Sequence, residues 1–362
     1  MVRHGRDFDE DDVRVRANPR GSRPRSRLRP DHEDAAEAMV VAVDRGRYTC
    51  LVNAIQGKAA KGQRAQAYQV TAMKARELGR KGVVVGDRVS LVGDLRGGPD
   101  SLARVVRVHP RRHVLRRTAD DTDPEERVIV ANADQLVIVT ALADPEPRPR
   151  MIDRCLVAAF EAGLHPVLCL TKPDLGDPDA LIEAYRPLGV STIVIARGGD
   201  LEALRALLAG RVSVLVGHSG VGKSTLVNAL VPDADRAIGV VNDVTGRGRH
   251  TSTSAVALML PAPAPDGAGA PAEPGGGWVV DTPGVRSFGL AHVSADGVIA
   301  AFPDLAAITA DCPRGCTHAA GAPDCGLDDW LGSLPADAPQ RAGSLARVES
   351  VRRLLAALAD RA

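Results

Sequence analysis

Eight residues, Gly217-His218-Ser219-Gly220-Val221-Gly222-Lys223-Ser224, constrain this chain more than any other segment. They fit G-x-x-x-x-G-K-[ST]. In such a loop the glycines let backbone N–H groups curl around phosphate oxygens, and the following helix adds the positive end of its dipole. Glycine is 36 of 362 residues and lysine is scarce, so on the order of 0.005 matches are expected by chance. The loop has to stand between a buried strand and a helix. Residues 212–216 read as the strand, and 223–230 open the helix.

The same alternation extends upstream. Strand-like apolar runs at 136–142, 165–170 and 192–196 are separated by helix-patterned stretches at 151–162, 179–188 and 201–209. Strands alternating with helices predict a mostly parallel sheet covered on both faces. Ligands then bind at the carboxyl ends of the strands. Thr171-Lys172-Pro173-Asp174 stands at such an end and fits the guanine-reading [TN]-K-x-D pattern. A carboxylate accepts two hydrogen bonds from guanine N1 and N2, a donor pair that adenine lacks. Asp174 is therefore expected to select GTP over ATP, with Lys172 packed along the base. Ala196, after the next strand, is the expected neighbour of guanine O6. Two of the six lysines, Lys172 and Lys223, fall in the two motif positions. In the ordinary order the phosphate loop precedes the guanine motif. Here the order is reversed, which predicts a circularly permuted domain.

The remaining nucleotide contacts follow from the loop. Lys223 should reach the β- and γ-phosphates, and Ser224 should ligate Mg²⁺. The expected GTP-contact set is Thr171, Lys172, Asp174, Ala196, Gly217, Ser219, Gly220, Val221, Gly222, Lys223, Ser224, Thr225, Asp281 and Gly284. Asp281-Thr282-Pro283-Gly284 follows a strand at 278–280 and fits D-x-x-G. Asp281 would hold Mg²⁺ through water, and Gly284 would donate its N–H to the γ-phosphate. Between these motifs lie Gly246-Arg247-Gly248-Arg249-His250-Thr251-Ser252-Thr253. A hydroxyl here, Thr251 or Thr253 among them, would close over Mg²⁺; three adjacent hydroxyls leave the choice open. Val285 occupies the position where many GTPases place a water-orienting Gln. Slow intrinsic turnover is expected, with the site completed by another group. His250 is the internal candidate for positioning that water, with RNA contact or plain solvent exposure as the alternatives.

The flanking segments differ in character. Residues 1–35 are rich in Arg, Asp and Pro without periodicity and read as a flexible tail. Residues 36–117 contain strand-like runs at 39–43, 49–52, 83–85, 88–92 and 102–108. Five short strands in about eighty residues suggest a small barrel of the oligonucleotide-binding type. The net charge of +1 marks no polyanion binder as a whole, but residues 104–117 hold six Arg and no acid. Such a run suits a nucleic-acid backbone or a solvated face. Aromatics are sparse: the predicted barrel holds only Tyr48 and Tyr68. Arg–phosphate contacts and RNA shape are thus expected to outweigh stacking. The Pro/Ala/Gly stretch at 261–277 reads as an elongated loop without chemistry. The expected domains are 36–117, 118–300 and 301–362.

The amino terminus lacks the apolar core of a secretory signal and no stretch approaches a membrane span, so a cytoplasmic protein is expected. In a reducing compartment clustered Cys reads as metal-binding. Cys312, Cys316, His318 and Cys325 form C-x₃-C-x-H-x₆-C. Three thiolates and one imidazole make a closed tetrahedral zinc site, which leaves no position for substrate water and points to a structural role. Cys50, Cys155 and Cys169 lie in apolar runs and read as core. A terminal helix is expected from Leu345, Val348, Val351, Leu354, Leu355 and Leu358 at helical spacing.

Taken with Met151-Ile152-Asp153-Arg154 and the order of the strings above, the chain from about residue 36 onward resembles the ribosome small subunit-dependent GTPase A (RsgA) family. The resemblance implies an amino-terminal oligonucleotide-binding barrel, a circularly permuted GTPase domain and a carboxyl-terminal zinc domain. It also implies a GTP-hydrolysing monomer that binds the small ribosomal subunit and its rRNA, acts late in subunit maturation, and uses Mg²⁺ with GTP and one structural Zn²⁺. The chain departs from the family's commoner pattern in Thr171 for Asn, in His218 within the phosphate loop, in the long insertion and in the first Cys spacing. Two rivals stand beside this reading. A P-loop ATPase or kinase is opposed by TKPD. A non-enzymatic RNA-binding scaffold with GTP as a structural ligand is favoured by Val285 and opposed by Lys223, Ser224 and Asp281.

Overall fold

The computed structural model describes residues 34–52, 67–79, 82–98, 101–117, 126–232, 255–261, 276–282 and 293–359, with His32 and Leu290. Most of the expected tail and insertion, the whole 246–253 segment, and Gly284 and Val285 lie outside the described residues. No described helix is long and apolar enough to cross a membrane.

Five strands close the amino-terminal barrel: β1 (Ala36–Asp44), β2 (Arg47–Val52), β3 (Tyr68–Lys74), β4 (Arg88–Gly93) and β5 (Ala103–Val108). They run in the order β1-β2-β3-β5-β4, and β4 returns to pair with β1. Alternation turns Val40, Cys50, Val70, Ala72, Val89, Leu91 and Val105 inward to fill the interior. One expected strand is corrected. Residues 83–85 form no barrel strand, although Val83 packs into the barrel core; β3 takes that place. Val83 and Val85 are buried, but the Asp87 carboxylate accepts the Val84 N–H at 2.8 Å. Gly86 turns the chain at φ +87, where an added Cβ would stand 2.0 Å from the Ala131 carbonyl oxygen. A turn tied this closely cannot continue as strand.

The basic run at 104–117 divides between two roles. Arg104 and Arg107 are exposed on β5. Arg111 instead grips the fully buried Asp87 with two nitrogens, at 2.7 and 2.8 Å. Arg112 reaches Asp134 at 3.3 Å. An antiparallel ribbon of β6 (Val114–Arg117) and β7 (Arg127–Ala131) follows, where the sequence pattern had suggested no strands.

The second half is an α/β sheet. Its strands are β8 (Gln135–Ala141), β9 (His165–Thr171), β10 (Ser191–Ile195), β11 (Val212–Val216), β12 (Val256–Met259) and β13 (Trp278–Asp281). The order is β10-β9-β8-β11-β13-β12, all neighbours parallel except β13 with β12. Helices α1 (Pro149–Glu161), α2 (Asp179–Tyr185), α3 (Glu202–Leu208) and α4 (Lys223–Leu230) connect these strands. Pro149 sits in the first turn of α1, where its missing N–H costs nothing. α1 buries Ile152, Cys155, Leu156 and Ala159 at helical spacing. Barrel and sheet are continuous, because β12 pairs with β1 at Val256 and Ala42.

Four helices complete the chain: α5 (Ala295–Ala300), α6 (Pro303–Thr309), α7 (Gly326–Ser333) and α8 (Arg341–Ala359). In α8 the expected stripe buries Val348, Val351, Leu354 and Leu355, while Leu345 remains 44% exposed. Side chains fix α8 against the sheet's helices. Arg353 lies 3.3 Å from the buried Asp153 carboxylate, donates to the Ala184 carbonyl and stacks over Tyr185. Burial raises the Asp153 carboxyl above its usual range, with Arg353 opposing. Arg154 donates to the Ala357 carbonyl at 3.5 Å. Asp153 and Arg154, singled out in the sequence without an assigned purpose, thus both meet the terminal helix.

Candidate nucleotide and metal sites

The parallel register brings the sequence motifs to one edge. Ile195 and Ala141 both stand opposite Thr171, Val216 stands opposite Ile138, and Leu215 opposite Asp281. The carboxyl ends of β10, β9, β8, β11 and β13 therefore lie side by side. They carry Ala196, Thr171 to Asp174, the turn containing Asp144, the phosphate loop and Asp281.

The phosphate loop is shaped by close approach and left-handed backbone. Gly217 has no room for a side chain, since a Cβ there would lie 2.5 Å from the Val139 carbonyl oxygen. Gly220 and Gly222 adopt φ +85 and +90, which L side chains rarely accept. Val221 is buried; Ser219, Ser224 and Thr225 are exposed, as a loop that offers donors to a ligand requires. Gly222 caps α4, so the loop's amides feed into a helix N-terminus. At the far end of α4, Arg205 of α3 donates to the Ala229 and Leu230 carbonyls at 2.8 and 3.0 Å. A cation at a helix C-terminus satisfies orphan acceptors. No sequence pattern points to this residue.

Lys223 Nζ lies 2.6 Å from Asp281 Oδ1, with both side chains largely buried. The lysine of the phosphate loop and the aspartate of the D-x-x-G string thus meet at one place, though 58 residues separate them. Thr282 anchors the strand end beside them through its hydroxyl, which donates to the Leu215 carbonyl at 2.9 Å.

The guanine motif is tied to the phosphate loop directly. The Thr171 hydroxyl is 2.7 Å from the Val221 carbonyl oxygen and 3.3 Å from that of Thr140; its single proton goes to the nearer acceptor. Lys172 holds left-handed backbone at φ +57, a conformation that non-glycine residues adopt at functional turns. Its amine donates to the Asp144 carbonyl. Asp174 is exposed beyond it. Ala196 is exposed one residue past β10, and its carbonyl accepts the Gly199 N–H at 3.1 Å. His250, Thr251, Thr253 and Gly284 lie outside the described residues.

A second centre forms between α6 and α7. One ligand atom from each of Cys312, Cys316, His318 and Cys325 lies within 4.8 Å of the others. Ligands on a tetrahedral zinc with bonds of about 2.3 Å stand roughly 3.8 Å apart, and Cys325 Sγ is 3.8 Å from His318 Nδ1. This donor set fits Zn²⁺. Backbone N–H groups support the thiols, with Gly326 N 3.2 Å from Cys312 Sγ and His318 N 3.4 Å from Cys316 Sγ. Behind the ring, Asp296 Oδ1 of α5 lies 3.9 Å from His318 Nε2, and Arg352 of α8 donates to the His318 carbonyl. The other cysteines are core residues. Cys50, Cys155 and Cys169 are buried, and burial pushes their thiols up to about 12.

Comparison with known proteins places this arrangement. The profile of the RsgA GTPase family matches residues 108–291. The small ribosomal subunit biogenesis GTPase RsgA of Pseudomonas aeruginosa is 41% identical over 245 residues, which cover 65% of this chain and 66% of that relative. Its counterpart in Pseudomonas fluorescens is 37% identical over 287 residues, covering 77% of this chain and 76% of that protein. The crystal structure of YjeQ from Thermotoga maritima superposes with a TM-score of 0.58 at 23% identity, covering 90% of this chain and 99% of that one. YloQ, described as a circularly permuted GTPase, also reaches 0.58, at 20% identity over 92% of this chain and 99% of its own. The two structures share the fold, and the matches in sequence, which span more than half of the chain in the family profile and three quarters of a relative, show that it belongs to the RsgA GTPase family.

Proposed function

We propose that this chain is a GTP-hydrolysing factor that binds the small ribosomal subunit and its rRNA, acts late in subunit maturation, and leaves when GTP is spent. The observation that carries the reading is the convergence of TKPD, the phosphate loop and Asp281 on one sheet edge, with Lys223 2.6 Å from Asp281. In this reading Asp174 selects guanine, Lys172 and Ala196 border the base, and Thr171 fixes the guanine loop to the phosphate loop. Backbone N–H groups of residues 217–225 hold the phosphates, Lys223 neutralises them, and Gly284 senses the γ-phosphate.

Ser224, Asp281 and Thr251 or Thr253 would hold Mg²⁺, which supplies positive charge against the phosphate oxygens. The thiolates of Cys312, Cys316 and Cys325 with His318 would hold one structural Zn²⁺. His250 takes the water-positioning role that Val285 cannot fill. The domains act as a barrel for RNA at 36–117, a switch at 118–300 and a metal-organised unit at 301–362, in a cytoplasmic monomer. Because the permutation runs the segment after Gly284 into the third unit, γ-phosphate loss is transmitted there.

The test is GTP hydrolysis with and without purified small subunits, with ATP as control and Lys223→Ala as the blank. Strong GTP-specific stimulation is expected, reduced in His250→Ala. GTP binding without stimulated turnover would favour a non-enzymatic scaffold, and equal use of ATP would overturn the guanine assignment.

A further inference from the structure

We propose that Arg205 is a positioning residue for the guanine nucleotide. It sets the spacing between the guanine loop and the phosphate loop, so that one nucleotide can engage both at once. The proposal rests on the nucleotide assignments above and adds a residue that acts through α4 rather than by contact with the ligand.

Helix α4 carries the loop's amides at one end but is too short to hold itself in place. It has eight residues. That is a rod of about 12 Å, and helices of this length are marginal alone. Its position is therefore set by what it packs against. At its carboxyl end the Val231 N–H serves the Val227 carbonyl at 2.8 Å. The Ala229 and Leu230 carbonyls are taken by the two terminal nitrogens of Arg205, at 2.8 and 3.0 Å. At its amino end the Leu226 N–H donates to the Gly222 carbonyl at 2.9 Å. A tilt of the rod therefore moves the glycine loop with it.

The element that holds α4 also continues the turn on the base side. α3 begins at Glu202, just beyond the turn that Ala196 opens. The Ala196 carbonyl accepts the Gly199 N–H at 3.1 Å, and a Cβ on Gly199 would stand 3.2 Å from that of Ala196. Asp200 then accepts the Glu202 N–H at 2.8 Å. Little slack separates the base end from α3. Leu204 and Leu208 of α3 share a buried core with Val221, Leu226 and Leu230. Apolar contact is non-directional, whereas a planar guanidinium fork has a fixed geometry. Two donors on two successive carbonyls fix both the rotation and the register of α4 against α3. GTP and GDP are two-ended ligands, and their second contact adds affinity only where geometry lets both ends engage.

The test uses the full chain with Mg²⁺ and GDP. Titration with fluorescently labelled GDP gives the affinity. Phosphorus NMR of bound GDP at saturation reports the geometry of the phosphate cradle. Arg205→Ala should weaken GDP binding about tenfold and shift the β-phosphate resonance. Arg205→Lys keeps the charge and loses the fork, so it should fall between Ala and wild type in both readings. A variant that was merely less stable would bind more weakly through its unfolded fraction alone, and its bound resonance at saturation would match wild type. Unchanged affinity in Arg205→Ala, or weakened affinity with an unmoved resonance, would overturn the positioning role. So would wild-type behaviour of Arg205→Lys, which is the variant to read if Arg205→Ala does not fold. Failure of wild type to bind GDP is a separate result, and would overturn the nucleotide assignment itself.

Discussion

The phosphate-loop edge and the Cys/His centre are built from opposite materials. At the phosphate loop the groups offered are largely backbone amides, fixed by a strand, a tight glycine loop and a helix, with Gly217 leaving no space beside Val139. The core beneath is continuous, from Val137 and Val139 to Leu215 and Val279. At the Cys/His centre the working groups are four side chains on a short segment between α6 and α7. Buried Leu305 and Leu327 are among its few contributions to the core. One region is preorganised by packing; the other gathers four side chains whose chemistry fits a metal. The lesson is that a site of backbone groups is protected by the fold that presents it. A site of side chains can be the fold's own fastening.

The sharpest way to break this contrast is to strip the metal. A preparation with one zinc per chain, treated with a chelator or carrying Cys325→Ser, should lose hydrogen-exchange protection across 303–334. Structural zinc supplies apparent binding energies of about 10 kcal/mol or more. Strands β8, β9 and β11 should keep their protection. Simultaneous opening of the sheet would show that the two regions are not independent.

The next effect in size concerns packing at the edge. Gly217→Ala forces a Cβ to within 2.5 Å of the Val139 carbonyl oxygen, so stability should fall by about 1–3 kcal/mol and GTP affinity with it. Calorimetry and nucleotide titration would check both. An unchanged melting temperature would mean that the loop yields more readily than its packing implies.

The smallest expected effect tests a side-chain tie that joins two motifs at the edge. Thr171→Val removes the donor to the Val221 carbonyl, 2.7 Å away, and should weaken GDP binding by about tenfold, the equivalent of one buried hydrogen bond. Thr171→Asn, which restores a donor, should recover most of it. If Thr171→Val binds GDP as wild type does, the tie between the two motifs contributes nothing to affinity.

Much of the candidate site was legible because its chemistry is local. A G-x-x-x-x-G-K-[ST] loop must follow a strand and open a helix, and residues 212–216 and 223–230 took those forms. The Cys/His cluster was legible for the same reason: four such residues within fourteen positions have few ways to avoid one another. The barrel was less legible. The run at 83–85 has strand composition, yet Asp87 and Gly86 bend it into a turn. Strand β3, YQVTAMK, buries only Val70 and Ala72 and lacked an apolar signature. Arg111 looked like its neighbours in a basic run until its buried partner Asp87, 24 residues away, came into view.

The sequence alone determined which motifs this chain carries, and that the T-K-x-D string precedes the phosphate loop, because backbone geometry ties each motif to its own few residues. Tertiary structure decided what those motifs are joined to. It bonded Thr171 to Val221 across 50 residues, held Arg353 against Asp153 across 200, and ran the barrel into the sheet through β1 and β12. Contacts at such separations depend on packing of the whole chain, and leave no periodic trace in the residues that make them.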